Sequence, residues 1–503
     1  DNAERKRKGA QHIPAPKQKL PGHAESYNPP QEYLLTEQEE KEMLEKDPLD
    51  RPFNFVPRKY QAMRHVPAYE AVFKERFERC LDLYMCPRTI KLKQRVNPKD
   101  LLPKLPPKSE LRPFPNMMGV RYAGHTKMVR SLSVHSKGQW LATGSDDHTV
   151  RIWEVSTGRC MRIINVGGVV EQVSWCPRED VMICAVAVKR RVFLINCSIG
   201  STTSLAYTQA AFTPIVLEGR KEKSITSETE TEDQKKLVLW TKLIPVSSTL
   251  TEEQKQEREK EKQREREEAE KEGFIVDGKE IEAEGIGILH RNSVKSVVWH
   301  WKGDYFASVV EGDNKQVLIH RLSTHKSQAP FSGLKGLVQC VGFHPVKPWF
   351  FVATQQFLRI YNLAQPELVK KVASAVKWAS SLAIHPFGDN VLIGSYDKKV
   401  CWFDVELSSK PYKILRYHNR AVRSVCFHKK YPLWSSSSDD GKVHVFHGSV
   451  FPDDYSKDPM IVPLKILSSH EVHDGFGVMG VEFHPQQPWL FSCGGDGNAF
   501  MYV

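Results

Sequence analysis

Residues 124–154 read GHTKMVRSLSVHSKGQWLATGSDDHTVRIWE, and this stretch decides the fold. Apolar and polar residues alternate over short runs that end in Ser-Lys-Gly or Asp-Asp, which is typical of short antiparallel strands joined by tight turns. We expect His125, Thr143, Asp147 and Trp153 to meet as one buried hydrogen-bonded chain. Such a chain fixes strand register, because each unpaired member would cost about 1–3 kcal/mol.

The turn after the first strand of this unit recurs along the chain. Its copies begin at Val134, Trp175, Trp299, Phe343, Ile384, Phe427 and Phe483. Four of the six intervals lie between 41 and 44 residues, which is about the 40–45-residue period of a WD-repeat blade. The sequence therefore predicts an all-β fold, a seven-bladed WD-repeat β-propeller over residues 119–503.

Two later units repeat the hydrogen-bonding residues of the first. They contain His418, Ser436 and Asp440, and His470, Ser492 and Asp496. Units two and four lack the Asp, so we expect hydrophobic packing to hold them. The last unit stops at its third strand, and an open sheet edge there would invite mispairing. We expect residues 120–122 to supply the missing outer strand and close the ring.

Two segments depart from the repeat. Residues 1–118 form a predicted extended N-terminal arm, with dense proline over 98–115 and helical candidates at 36–45 and 69–84. Residues 198–289 form a predicted charged insertion between blades two and three. In its stretch 251–272, 17 of 22 residues are charged. A solvated charged excursion and a partner-binding helix both remain open for this stretch.

The formal net charge of +12, from 72 Lys+Arg and 60 Asp+Glu, is unevenly distributed. Residues 84–120 carry +6, the insertion −6 and the remaining propeller +12. A basic extended segment and a basic rigid ring suit binding to a phosphate backbone. Solubility and protein contacts are the alternative explanation. The candidate RNA-binding residues are Arg88, Lys91, Lys93, Arg95, Lys99, Lys104, Lys108 and Arg112 in the arm, and Lys189, Arg190 and Arg191 in the ring.

The sequence contains no motif that indicates an enzyme. Phosphate-binding G-x-x-x-x-G-K-[ST], G-x-S-x-G and H-E-x-x-H are all absent. Histidines such as His344, His385 and His484 recur with the blades and are interpreted as structural turn residues rather than metal ligands. The longest apolar run, residues 181–188, is too short to cross a bilayer. We expect no catalytic site, metal, cofactor, small-molecule substrate or membrane span.

Several motifs outside the strands are specific. Residues 20–30 read LPGHAESYNPP, residues 75–84 read ERFERCLDLY and residues 102–106 read LPKLP. Together with GSYD at 394–397 and SDDG at 438–441, they resemble the block-of-proliferation ribosome biogenesis family (Bop/Erb), from about residue 12 to residue 503.

The resemblance implies a non-catalytic scaffold of the nucleolus and nucleoplasm that assembles the large ribosomal subunit and is needed for maturation of its rRNAs. It also implies partners: pescadillo, a second WD-repeat protein with a ubiquitin-like N-terminal domain, pre-ribosomal RNA and large-subunit ribosomal proteins. A substrate receptor of a ubiquitin ligase is the alternative. Such receptors often carry W-D-x-R at the end of a third strand, and residues 153–156 and 403–406 here read WEVS and FDVE, without the Arg.

Overall fold

The computed structural model describes residues 21–86, 106–213, 237–243, 263, 283–312, 315–331, 333–406, 408–450 and 459–503. Contacts divide the chain into two compact units, Asp1–Pro103 and Lys104–Val503. Within the described ranges, no helix combines the length and the apolar composition that a membrane span requires.

The described part of the first unit, residues 21–86, contains short helices joined by irregular segments. They are α1 (Glu37–Glu45), α2 (Glu70–Met85) and single 3₁₀ turns at Ala24–Ser26, Gln31–Tyr33, Met63–His65 and Pro67–Tyr69. Both helices predicted in the arm are confirmed to within a residue. A capping box starts α1, since the backbone N–H of Thr36 donates to the Glu39 carboxylate at 2.9 Å. Apolar side chains of α2 are exposed, with Phe77 at 69% and Tyr84 at 83%.

Seven β-sheets make up the described part of the second unit, and each is a propeller blade. The chain enters with β1 (Met118–Ala123). Blade one then contains β2 (Val129–Val134), β3 (Trp140–Ser145), β4 (Thr149–Glu154) and β5 (Cys160–Asn165). Blade two contains β6 (Val170–Trp175), β7 (Ile183–Val188), β8 (Arg191–Asn196), β9 (Val238–Leu243) and β10 (Gly285–His290). Blade three contains β11 (Val294–Trp299), β12 (Tyr305–Val310), β13 (Val317–Arg321) and β14 (Lys326–Gln328).

The remaining blades follow in chain order. Blade four contains β15 (Val338–Phe343), β16 (Trp349–Thr354), β17 (Phe357–Asn362) and β18 (Glu367–Ala373). Blade five contains β19 (Ala379–Ile384), β20 (Asn390–Ser395), β21 (Val400–Asp404) and β22 (Lys413–Leu415). Blade six contains β23 (Val422–Phe427), β24 (Leu433–Ser438), β25 (Val443–Ser449) and β26 (Met460–Leu467). Blade seven contains β27 (Val478–Phe483), β28 (Leu490–Gly494) and β29 (Asn498–Tyr502), together with β1. The predicted all-β, seven-bladed WD-repeat propeller is confirmed.

The first strands of successive blades pack against one another around the ring, and β27 meets β2. Aromatic side chains fill the space between sheets; Trp402 and Trp434, for example, are fully buried with ring centroids 5.9 Å apart. Each of the seven first strands has a register shift around its second residue, so that this residue stands outside the regular ladder. Such bulges aim a side chain away from the sheet.

Blade two differs from the sequence expectation in where the insertion leaves and rejoins the sheet. Strand β10 pairs with β8, as in Ile286↔Leu194, and β9 adds a fifth strand on the other side of β10. The range 198–289 therefore includes two strands of blade two and the helix α3 (Thr202–Phe212). The chain therefore leaves blade two before its outer strands are formed and returns to complete the sheet. The many charged residues around β9 and β10 made the apolar pattern of these two strands hard to recognise in the sequence. The charged stretch 251–272 lies outside the described residues, apart from Gln263.

The ring closes through β1, as the sequence predicts. Strand β1 runs antiparallel to β29, with Val120 opposite Met501 and Tyr122 opposite Ala499. The Tyr122 side chain is 1% exposed, and its hydroxyl donates to the carbonyl of Val155 in blade one at 2.8 Å. The outer strand of blade seven is thus also bonded to its neighbour.

Replacing Tyr122 tests this closure. We expect Tyr122→Ala to lower the free energy of unfolding by about 3–5 kcal/mol, as truncation of a buried aromatic does. Tyr122→Phe should cost about 1 kcal/mol, because only the hydrogen bond is lost. The comparison is Arg121→Ala on the exposed face of the same strand, which loses only solvent-exposed hydrogen bonds to Asn498 at 3.2 Å and should cost about 1 kcal/mol or less. Chemical denaturation measures all three, and equal stability of Tyr122→Ala and Arg121→Ala would contradict the closure.

Candidate nucleic-acid interface

The four predicted residues of blade one come together. His125 lies between β1 and β2, and its Nδ1 is 2.8 Å from the Asp147 carboxylate. Its Nε2 is 2.8 Å from Thr143 Oγ1, which also accepts the indole N–H of Trp153 at 2.8 Å. Because the carboxylate only accepts, Nδ1 carries the proton and Nε2 accepts from the Thr143 hydroxyl. The chain joins three segments of the blade.

Blade six repeats the arrangement with a different aromatic residue. His418 Nδ1 lies 3.2 Å from Asp440 Oδ2, and Nε2 lies 2.7 Å from Ser436 Oγ. His444 packs across His418, so that three potential metal-ligating atoms of His418, Asp440 and His444 lie within 4.8 Å of one another. The same His–Asp pair occurs in blade one without a third ligand. The structural network therefore accounts for the pair, and Phe446 occupies the Trp position.

Blade seven completes the set predicted from the sequence. His470 Nδ1 lies 3.1 Å from Asp496 Oδ1, and Nε2 lies 2.6 Å from Ser492 Oγ. The Ser492 hydroxyl is also 3.4 Å from the Tyr502 hydroxyl. These side chains hold the turn between β28 and β29, next to the strand that closes the ring.

Blade three contains a fourth network that the sequence analysis missed. His290 Nε2 is 3.0 Å from Ser308 Oγ, which is 2.8 Å from His320 Nε2. His320 Nδ1 is 2.8 Å from Ser327 Oγ, and Ser327 accepts the indole N–H of Trp240 at 2.9 Å. The available signal was the interval of 18 residues from His to Ser, equal to that from His to Thr in blade one. Blade three has Gly312 at the position of the blade-one Asp and His320 at that of the Trp, so its sequence did not match the pattern of blade one.

The two ends of the propeller are chemically different. Because neighbouring strands are antiparallel, the second-to-third-strand turns, such as residues 146–148, lie at the same end as the connections between blades. We call this end the upper rim. The first-to-second-strand turns, such as residues 136–138 and 301–302, lie at the opposite end, the lower rim.

Histidines at the lower rim are structural, as expected. The Nδ1 atoms of His344, His428 and His484 each accept two backbone N–H groups of the following turn, at 2.8–3.1 Å. Nε2 of His428 lies 2.8 Å from the Gln487 carbonyl, and Nε2 of His484 lies 3.2 Å from the Gly138 carbonyl. These contacts link blade six to seven and blade seven to one.

Aspartates at the upper rim are largely removed from solvent. The side chains of Asp147 and Asp440 are each 7% exposed, and that of Asp496 is 10% exposed. Asp439 is 8% exposed and pairs with Arg423 at 2.8 Å. The hydrogen bond to His418 is the main favourable influence that holds the pKa of Asp440 at about 2, against the cost of burial. These four aspartates are therefore directed inward, whereas Glu311 and Asp474 on the same rim are exposed.

The predicted basic turn Lys189-Arg190-Arg191 lies between β7 and β8 on this rim. Lys189 is exposed, and Arg190 and Arg191 are half-buried. A cleft of ≈ 380 Å³ is lined by Lys189, Arg190 and Lys295 and by the carboxylates of Glu171 and Glu311. A second cleft, of ≈ 430 Å³, lies between this turn and residues 166–169. The turn thus presents its cations to two grooves.

The basic residues predicted for the arm fall in two groups. Lys108 and Arg112 are exposed just before β1. The others lie outside the described residues: Arg88, Lys91, Lys93, Arg95, Lys99 and Lys104. Their candidate role in RNA binding therefore stays a prediction.

Two known domain types match the chain. Residues 1–115 match the BOP1NT (NUC169) domain. Residues 118–154, 409–447 and 462–502 match the WD domain, G-beta repeat. These three segments correspond to the blades that contain the His–Asp pair.

Relatives from vertebrates and insects match nearly the whole chain. It is 46% identical to ribosome biogenesis protein bop1 of Danio rerio over 98% of this chain and 58% of that protein. Identity is 46% to the BOP1 homolog of Aedes aegypti, over 98% of this chain and 52% of the relative. Identity to BOP1 of Mus musculus is 43%, over 98% and 61%. The chain therefore spans between about half and three fifths of the length of these relatives.

The buried histidines predict how stability depends on pH. Burial lowers the pKa of His135, His290, His344, His385 and His444 to about 4 in each case. Unfolding raises these pKa values to about 6.5, so the unfolded chain binds more protons between pH 4 and 6.5. The histidine contribution to stability is complete above pH 6.5 and is lost as the pH falls toward 4. Thermal melts should show a falling melting temperature over this window, and a flat profile would contradict it.

The buried Glu482 should change the stability with pH in the direction opposite to the histidines, and it therefore supplies an internal control. Burial raises the pKa of this carboxyl to about 7 from an ordinary value of 4.5. Its contribution to stability is therefore lost as the pH rises from 4.5 through 7. The variant Glu482→Gln removes this loss, so its melting temperature relative to the unaltered chain should increase with pH over the same range. A constant difference would show that Glu482 keeps its ordinary pKa.

Proposed function

Because this chain belongs to the family of BOP1 ribosome biogenesis proteins, we propose that it acts in ribosome biogenesis as a non-catalytic scaffold for assembly of the large ribosomal subunit. The observation that carries the proposal is the match along both the N-terminal domain and the propeller. The scaffold is needed for maturation of the large-subunit rRNAs, and it works in the nucleolus and nucleoplasm.

The partners in this proposal are pescadillo, a second WD-repeat protein with a ubiquitin-like N-terminal domain, large-subunit ribosomal proteins and pre-ribosomal RNA. The first unit supports protein docking, because α2 exposes apolar side chains that need a covering surface. Leu81 is 50% exposed and Tyr84 is 83% exposed. The propeller supplies a second, rigid surface, and holding both on one chain raises the effective concentration of the partners for one another.

RNA contact is assigned to the upper rim and to the basic segment that precedes β1. Each phosphate neutralised by a lysine or arginine releases counterions, which favours binding at moderate salt. Three aspartates of the upper rim support this assignment, because Asp147, Asp440 and Asp496 face inward in hydrogen bonds to histidine and leave the surface to other groups. The turn Lys189-Arg190-Arg191 adds cations beside two clefts.

The same networks argue for a binding role rather than catalysis. In the described part of the chain, the buried His–Asp pairs are each bonded to a third side chain and hold a blade together. No observation favours the alternative, a substrate receptor of a ubiquitin ligase. The ends of β4 and β21 still lack the Arg of that class, with Ser156 and Glu406 in its place.

Charge reversal tests the RNA-binding part of the proposal. One variant changes Lys189 and Arg190 to Glu on the upper rim, and a second changes Arg88, Lys91, Lys93 and Arg95 to Glu in the arm. We expect both to weaken association with pre-ribosomes in sucrose gradients and to make it less sensitive to salt, because fewer phosphates are neutralised.

The matched control reverses two exposed lysines of the lower rim, Lys137 and Lys302. This variant has the same change in net charge as the upper-rim variant, and its association with pre-ribosomes should stay unchanged. If the upper-rim and arm variants also sediment normally, the basic residues do not contact RNA. The scaffold would then rest on protein contacts alone.

A further inference from the structure

The upper rim of blades five to seven contains aromatic side chains among its cations. Lys377 and Trp378 lie in the connection from β18 to β19, and Trp378 is 44% exposed. Tyr396 lies in the turn between β20 and β21 and is 37% exposed. The two segments are joined by hydrogen bonds, since the backbone N–H of Tyr396 donates to the Trp378 carbonyl at 3.1 Å and that of Lys377 donates to the Asp397 carboxylate at 2.6 Å. Two exposed rings are thus held in one local structure.

Arg423 extends this aromatic surface toward blade seven. It is the second residue of β23, the position that every first strand places at a register shift. Its guanidinium carbon lies 5.2 Å from the ring centroid of Tyr396 and 5.2 Å from that of Phe476. The ion pair with Asp439 fixes the guanidinium from behind. At this distance the guanidinium is attracted to both rings by cation–π interactions, which stabilises the positions of Tyr396 and Phe476.

Basic residues lie in the same rim segments as the rings and in those of the next blade. The side chains of five basic residues on this part of the rim make no ion pair with another described residue: Lys377, Lys398, Lys399, Arg420 and Lys442. Four of the five are exposed to solvent, and Lys399 is half-buried. Asp397 follows Tyr396 in sequence, and its carboxylate accepts the backbone N–H of Lys377. Exposed aromatic rings on a surface that also carries basic side chains are the combination with which proteins hold a single nucleic-acid strand.

We propose that Trp378 and Tyr396, supported by Arg423, form a platform on which unpaired bases of single-stranded RNA stack, with the surrounding lysines on the phosphates. The platform deepens the proposed function, because it names the form of RNA that this rim takes. In a duplex the faces of each base are covered by the neighbouring bases. The rings of Trp378 and Tyr396 therefore cannot stack on the bases of double-stranded RNA. The centre of a protein–protein interface is depleted of lysine, whereas Lys377 is the neighbour of Trp378 in sequence and Lys398 lies in the turn of Tyr396.

The test measures binding of a fluorescein-labelled, mixed-sequence 12-nucleotide RNA to the full chain by fluorescence anisotropy. We expect Trp378→Ala and Tyr396→Ala each to weaken binding by about tenfold, the effect of losing one stacked base. The slope of log affinity against log salt should stay unchanged, because no phosphate contact is removed. In contrast, changing Lys398 and Lys399 to Glu should reduce that slope.

Lower-rim Trp301 provides the matched control. It is 55% exposed and is also adjacent in sequence to a lysine, Lys302, whose Nζ lies 5.1 Å from its ring. Trp301→Ala should bind the RNA as the unaltered chain does. Tyr396→Phe keeps the aromatic face and should retain binding, which separates stacking from damage to the fold. Melting temperatures of all variants complete the comparison.

Three results would overturn the platform. One is unchanged binding of single-stranded RNA by Trp378→Ala when the unaltered chain binds it. The second is an equal loss of affinity for a 12-base-pair duplex of the same sequence. The third is loss of a pre-ribosomal protein from the Trp378→Ala variant while RNA affinity is kept, which would make the surface a protein site. If the unaltered chain binds no RNA at all, the RNA-binding part of the proposed function fails together with the platform. If the unaltered chain binds RNA and Trp378→Ala binds it equally well, only the platform fails.

Discussion

The antiparallel pairing of β1 with β29 is the contact on which the propeller depends. It joins residues near 120 to residues near 500 and lets the first strand of blade seven pack against that of blade one. Without it, both end blades would expose an apolar face and blade seven an unpaired strand edge. The same seam is crossed by the Glu482 carboxylate, which accepts the backbone N–H of Val134 at 3.1 Å. Closure of the ring therefore fixes the positions of the upper-rim turns of different blades relative to one another.

Closure has a chemical consequence at the upper rim. The His–Asp pairs that hold the turns in register also withdraw Asp147, Asp440 and Asp496 from solvent. In the blade-six turn, Lys442 remains exposed beside the buried Asp440. The lower rim uses a different device, histidines that cap their own turns and hydrogen-bond to the next blade.

The repeat and its buried network were predictable because local spacing determines them. The interval from His to Asp in blade one recurs in blade six, and the 120–122 strand is needed wherever a last blade has three strands. The blade-three network was not predictable by the same rule, because His320 takes the Trp position and no described Asp bonds to His290, whose Nδ1 lies 3.3 Å from the Ile288 carbonyl. Burial of Asp147 and Asp440 depends on tertiary hydrogen bonds, so a charge tally of the rim could not show a basic face. Trp378 and Tyr396 belong to different turns, and only the fold brings them together.

The central claim is that the upper rim is the RNA-facing end of the propeller. Ultraviolet crosslinking of the tagged protein in pre-ribosomes, followed by mass spectrometry of the crosslinked peptides, tests it most directly. We expect crosslinks in peptides around residues 189–191, 377–378 and 396–399, and none in the lower-rim turns at 136–138 and 301–302. Crosslinks confined to the lower rim, or to peptides outside the propeller, would contradict it.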